Sequence, residues 1–177
     1  MIAYLGWGSL FWSPRAFRTH YDDWRIDGPH LPVEFCRVSN NGRLTLVVTD
    51  NVEPMPVLWA VATTKDVRAA CEHLASREGC PLKRIATARP ADASLPYDLK
   101  AWMQARGISA TIWTGLGPRF ANESGRIPTA NEAVAYLQSL RGEPERAAKE
   151  YVQKAPVQIR TRYRAIFEEK LGWGPQD

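Results

Sequence analysis

Cysteine is scarce in this 177-residue chain: Cys36, Cys71 and Cys80 make an odd number, and none stands in a Cys-x-x-Cys pair. The usual thiolate metal and redox signatures are thereby excluded, and the three are expected as packed, reduced thiols. Histidine is equally sparse. His20, His30 and His73 are scattered singly without metal-ligand spacing, so no metal is expected. No apolar run approaches the roughly 18 residues of a membrane span. Met1 to Leu5 lead straight into patterned sequence, with no basic leader or cleavage site, and a cytoplasmic protein without a membrane partner is the expectation. A tract of one charge is also missing. The net charge is only +4 and the basic residues are dispersed, which favours solubility over nucleic-acid binding. The densest basic stretch, Arg160, Arg162 and Arg164, alternates with Thr161 and Tyr163 in an expected helix. Its side chains should fan out as a solvated face, with a nucleic-acid or protein partner as the remote alternative.

What is present suits one sizeable core. With 45% hydrophobic residues in 177, a single domain spanning 1–177 is expected, of α+β class. Ile2-Ala3-Tyr4-Leu5 reads as a short buried strand. The segments 31–38 and 43–49 are β-rich and flank Ser39-Asn40-Asn41-Gly42, a hairpin signal that predicts antiparallel pairing. A strand follows over 56–62, then a helix starting at Thr64 and reaching Arg77 or Glu78, with Val67, Cys71, Leu74 and Glu78 along one stripe. Beyond the proline-interrupted stretch from Pro90 to Pro96, a short helix is predicted over 99–105, closed by Gly107. A last strand is predicted over 110–114. Three helices complete the chain: one within 127–140, introduced by Pro128 and Thr129, a second over 143–152, and a third over 157–171. The third has Ile159, Tyr163, Ile166, Phe167 and Lys170 bounding an apolar face.

Two features carry chemistry. Gly6-Trp7-Gly8 begins like a dinucleotide-binding Gly-x-Gly-x-x-Gly, but Phe11 occupies the third glycine position and no βαβ unit follows. Ser9 lacks the Gly-x-Ser-x-Gly frame of a nucleophile elbow. What remains is a glycine-bent turn at a strand end, whose Gly8, Ser9 and Leu10 amides can converge on a carboxylate or phosphate. Alternatively, Gly6 and Gly8 serve only a sharp turn, and Trp7, Phe11 and Trp12 are core. The second feature is Glu78, a carboxylate that continues a buried stripe at the end of a helix, just before Gly79. The negative helix terminus and desolvation would both raise its pKa, as a general base working near neutral pH requires. Pairing with Arg77, Lys83 or Arg84, or fraying into solvent, is the alternative.

Tyr4-Leu5-Gly6-Trp7-Gly8-Ser9-Leu10-Phe11-Trp12 resembles the signature loop of the γ-glutamyl cyclotransferase-like superfamily, in particular its ChaC-like branch. The order of Val57 to Ala62, a helix, and Ala75-Ser76-Arg77-Glu78-Gly79 is similar to that family's strand, helix and Arg-Glu ending. Ser124-Gly125-Arg126 is a weaker match ahead of a late helix. Trp7 stands where the family usually has tyrosine, and Gly79-Cys80-Pro81 replaces the residues that usually follow the glutamate. The resemblance implies a mixed β-sheet or barrel surrounded by helices. It further implies Leu5, Gly6, Trp7, Gly8, Ser9 and Leu10 as the substrate-binding loop and Glu78 as the catalytic acid/base. The implied partner is a small-molecule γ-glutamyl substrate, and the implied reaction, which needs no cofactor, releases 5-oxoproline and an amine. A non-catalytic module of the same fold, holding a small carboxylate ligand, is the rival reading. Patches among the seven tryptophans could support a homodimer, although core burial explains most of them equally well.

Overall fold

Ile2 to Gly6 is buried along its whole length, as expected of a strand covered on both faces. In a computed structural model, which describes residues 1–93, 95 and 98–175, this strand is β1. The remaining strands in chain order are β2 His30–Leu31, β3 Val33–Val38, β4 Leu44–Val48, β5 Met55–Pro56, β6 Leu58–Val61, β7 Ile85–Ala88, β8 Ala110–Thr114, β9 Arg119–Phe120 and β10 Glu123–Ser124. The α-helices are α1 Val67–Glu78, α2 Leu99–Ala105, α3 Ala130–Ser139, α4 Glu143–Lys154 and α5 Arg162–Leu171. The chain is thus mixed α+β. It divides into two compact units: residues 1–6, 13–31 and 54–116 form the first, and residues 7–12, 32–53 and 117–177 the second.

The first unit is built on a sheet of order β6-β1-β8-β7. β1 runs parallel to β8 and antiparallel to β6, with Leu5 opposite Trp59 and Gly6 opposite Leu58. Helix α1 covers this sheet, and the buried Tyr4 hydroxyl donates to the carbonyl of Ala70 at 3.1 Å. Its cap is Asp66, not the expected Thr64. The Asp66 carboxylate accepts from the amides of Arg68 and Ala69, placing a negative charge at the positive helix end, while Thr64 Oγ1 accepts from the Asp66 amide at 3.1 Å. Cys71, Leu74 and Ala75 are buried as the stripe requires, Val67 only partly. Strand β7 was not legible in the pattern, because Ile-Ala-Thr-Ala has little apolar bulk. The α2 and β8 segments match their predicted spans, and Gly107 follows α2 at φ 62°. The Pro96 end of the Pro90–Pro96 stretch lies outside the described residues.

The second unit carries a sheet of order β10-β9-β3-β4. β3 and β4 form the predicted antiparallel hairpin, with a bulge between Phe35 and Arg37. Pro32 divides the expected 31–38 strand: it has no amide to give a ladder, and Leu31 pairs instead with Met55 in the two-stranded β2-β5 ribbon of the first unit. β9 and β10 fall after the segment expected to end the strands, and at two residues each they leave no periodic trace. Neither sheet closes into a barrel among the described residues. Helix α3 is held by a capping box, in which Thr129 and Glu132 bond each other's backbone amides. α4 extends two residues beyond its expected end. α5 begins at Arg162, not Val157, because the Thr161 hydroxyl caps it by accepting from the Arg164 amide. Ile159 is therefore buried outside the helix, and Lys170 is exposed.

Arg164 corrects the expected solvated basic face. Arg160 and Arg162 are exposed, but Arg164 is only 3% exposed. Its guanidinium donates to the carbonyls of Ala155 and Pro156, each at 2.7 Å, and to those of Ile159 and Gln153. It therefore satisfies carbonyls at the end of α4 and in the segment that leads from it to α5. No described helix is long and apolar enough to cross a membrane.

Candidate functional site

Leu5 and Gly6, the first two residues of the expected loop, are the last two of β1 in the first unit. Their backbone is committed to pairing with β6. Trp7, Gly8, Ser9 and Leu10 belong to the second unit. There the turn closes with the Phe11 amide donating to the Gly8 carbonyl at 3.0 Å. Trp7 is buried, and its indole N–H donates to the Leu46 carbonyl of β4 at 3.2 Å. This hydrogen bond anchors the turn to a strand.

The glycines of the loop act through close approach, not through unusual torsion. Neither Gly6 nor Gly8 has a positive φ. A β-carbon on Gly6 would come within 2.9 Å of the Trp24 ring. One on Gly8 would overlap the hydroxyl oxygen of Tyr151. Tyr151 lies on α4, about 140 residues further along the chain, and no local motif marks it. Its ring meets Trp12 edge-on at 5.3 Å, with the Arg43 guanidinium 5.4 Å from its centroid.

This packing has a consequence for the loop amides. Gly8 and Leu10 are both buried. Yet among the described residues neither amide donates to a protein acceptor. Buried amides are nearly always partnered, by protein, water or ligand. Two such donors, two residues apart on a tight turn, are available to an anion.

Glu78 is the last residue of α1, in the first unit. Gly79 ends the helix in the left-handed conformation at φ 60°. The Cys80 amide then reaches back to the Ala75 carbonyl at 3.1 Å and the Gly79 amide to Ser76, the doubly bonded ending that glycine makes accessible. The Glu78 side chain is 20% exposed and meets Arg77 Nη1 at 3.0 Å. Arg77, itself 10% exposed, is fixed from its other side by donating to the Ser13 carbonyl at 2.7 Å. The pairing with Arg77, one of the alternatives left open, is realised. It leaves a largely buried carboxylate in a defined orientation. Glu78 raises the pKa of the neighbouring Cys80 thiol, after the larger effect of burial.

Cys36, Cys71 and Cys80 are free thiols. Among the described residues no three His, Cys, Asp or Glu side chains gather as a metal-holding group. Comparison with family models, curated proteins and solved structures finds no match to this chain.

Proposed function

We propose that this chain is a γ-glutamyl cyclotransferase-type enzyme, with the Trp7–Leu10 turn binding substrate and Glu78 acting as general acid/base. The observation that carries the reading is that the amides of two buried residues, Gly8 and Leu10, have no protein acceptor among the described residues, a fit for the α-carboxylate of a γ-glutamyl group. The resemblance of residues 4–12 to the family's signature loop supports it, as does an oriented, largely buried Glu78 in the matching Arg-Glu ending.

In this reading the substrate supplies both nucleophile and electrophile, and the protein supplies geometry and proton transfer. Glu78 takes a proton from the α-ammonium. The freed amine attacks the γ-carbonyl and closes a five-membered ring. As the tetrahedral intermediate collapses, the bond from carbonyl carbon to leaving nitrogen breaks, Glu78 returns its proton to that nitrogen, and the ring nitrogen gives up its second proton, which ends on the released amine as an ammonium. 5-Oxoproline and an amine leave, with no net change in the protein. The leaving group is cysteinylglycine if the substrate is glutathione, and an amino acid or other amine for its analogues. Incubation of the purified chain with glutathione and a panel of γ-glutamyl amino acids and amines, followed by mass spectrometry for 5-oxoproline, tests the proposal.

One observation favours a second reading. A carboxylate paired with its neighbour Arg77 at 3.0 Å is also what a structural glutamate makes, and a non-catalytic module would then hold a small carboxylate through the turn alone. Ligand binding at the turn without 5-oxoproline formation is the signature of that case.

A further inference from the structure

Where the β3–β4 hairpin turns, the second unit carries a half-open cavity of about 660 Å³, bounded by Val38 to Asn40, by the β9–β10 turn from Arg119 to Asn122, and by Tyr136. The volume suits a small organic molecule. None of these residues belongs to the Trp7–Leu10 turn, and Glu78 is not among them.

The charge at this cavity is one-sided. Arg119 is half-buried, and among the described residues its guanidinium makes neither a hydrogen bond nor an ion pair. Its register partner on the adjacent strand is another arginine, Arg37, whose guanidinium donates to the Gly117 carbonyl at 2.9 Å. Like charges side by side on neighbouring strands oppose sheet formation. The walls are of a different kind. Phe120 and Tyr136 meet edge-to-face at 5.7 Å, and Tyr136 is fixed by donating to the Gly42 carbonyl at 2.7 Å. Val38 adds apolar surface, while Asn40 and Asn122 contribute polar groups.

The backbone here is also held against its preference. Ala121 and Asn122, the two residues that join β9 to β10, have φ of 49° and 64°. Such a hairpin turn is ordinarily Asn-Gly, and alanine resists the left-handed region. Strain of this type persists where surrounding structure enforces it, often at ligand sites.

From these observations we infer that the cavity binds a small organic carboxylate with a flat apolar body. The carboxylate would lie on the planar fork of Arg119, which matches it two bonds to two, and the body against Phe120 and Tyr136. Titration of the ¹⁵N-labelled full chain with benzoate, benzamide and acetate tests this. Benzoate is expected to move the amides of residues 38–40 and 119–122 saturably below about 10 mM. Benzamide and acetate should bind at least about tenfold more weakly, and Arg119→Gln should weaken benzoate by a similar factor, as the loss of a charge-assisted bond implies. Asn122→Asp retains a residue tolerant of the left-handed region and should weaken benzoate as well, so it decides the matter if Arg119→Gln fails to fold. Saturation mapping elsewhere, no saturation, equal affinity for benzamide, or benzoate affinity unchanged in the folded variant would overturn the inference.

Discussion

A β-carbon at Gly8 would fall on the hydroxyl oxygen of Tyr151 and lie 3.2 Å from the ring carbon that bears it. The loop is therefore tied to α4 by contact at a position where only glycine fits. Gly8→Ala is expected to lower stability by about 1–3 kcal/mol through overpacking. Tyr151→Phe removes the overlapping oxygen, so the double variant should recover part of that loss. A double-mutant cycle by urea unfolding measures the coupling, and strictly additive effects would contradict the contact.

Arg164 makes the second test. With its guanidinium shared among four carbonyls at the end of α4 and in the segment after it, Arg164→Ala is expected to destabilise by about 3 kcal/mol, since it leaves buried acceptors unpaired. Arg164→Lys keeps a charge but not the planar fork, and should recover only part of the loss. Denaturant midpoints of the two variants check both statements.

Glu34 sets a pH dependence. It is 1% exposed, accepts from the Phe35 amide at 2.8 Å and from the Tyr163 amide at 3.2 Å, and so ties β3 to the start of α5. Burial pushes its carboxyl above the ordinary 4.5, and hydrogen bonds from Thr161, Phe35 and Tyr163 only partly offset this. Because the folded state holds the proton more tightly, the Glu34 contribution to stability is greatest below pH 4.5 and falls as pH rises toward the folded-state pKa. Glu34→Gln removes that slope. Its deficit relative to wild type should therefore be largest at acid pH and shrink as pH rises, which chemical denaturation between pH 4 and about 8 reads directly.

Much of this architecture is legible in the residues themselves. Ser39-Asn40-Asn41-Gly42 announces the β3–β4 hairpin, the stripe of Cys71 and Leu74 announces α1, and Pro128 with Thr129 announces the entry to α3. What is hidden depends on partners distant in sequence. β9 and β10 are too short to have a period, and β7 lacks apolar bulk. Arg164 looks like a surface cation until the end of α4 supplies its carbonyls. Within the candidate site, residues 7–10 and Glu78 stand out through glycine spacing and a carboxylate on an apolar stripe. Tyr151, which explains why Gly8 is glycine, carries no local signal at all.

The most direct test of the proposed chemistry compares wild type with Glu78→Gln, which preserves the shape of the side chain and its acceptor for Arg77. Both proteins are incubated with glutathione and γ-glutamyl compounds and assayed for 5-oxoproline by mass spectrometry, with thermal unfolding as the check on folding. Product from the wild type and none from an equally stable Glu78→Gln is expected. Equal product from the variant would remove Glu78 from the reaction, and no product from the wild type on any γ-glutamyl compound would contradict the cyclotransferase assignment.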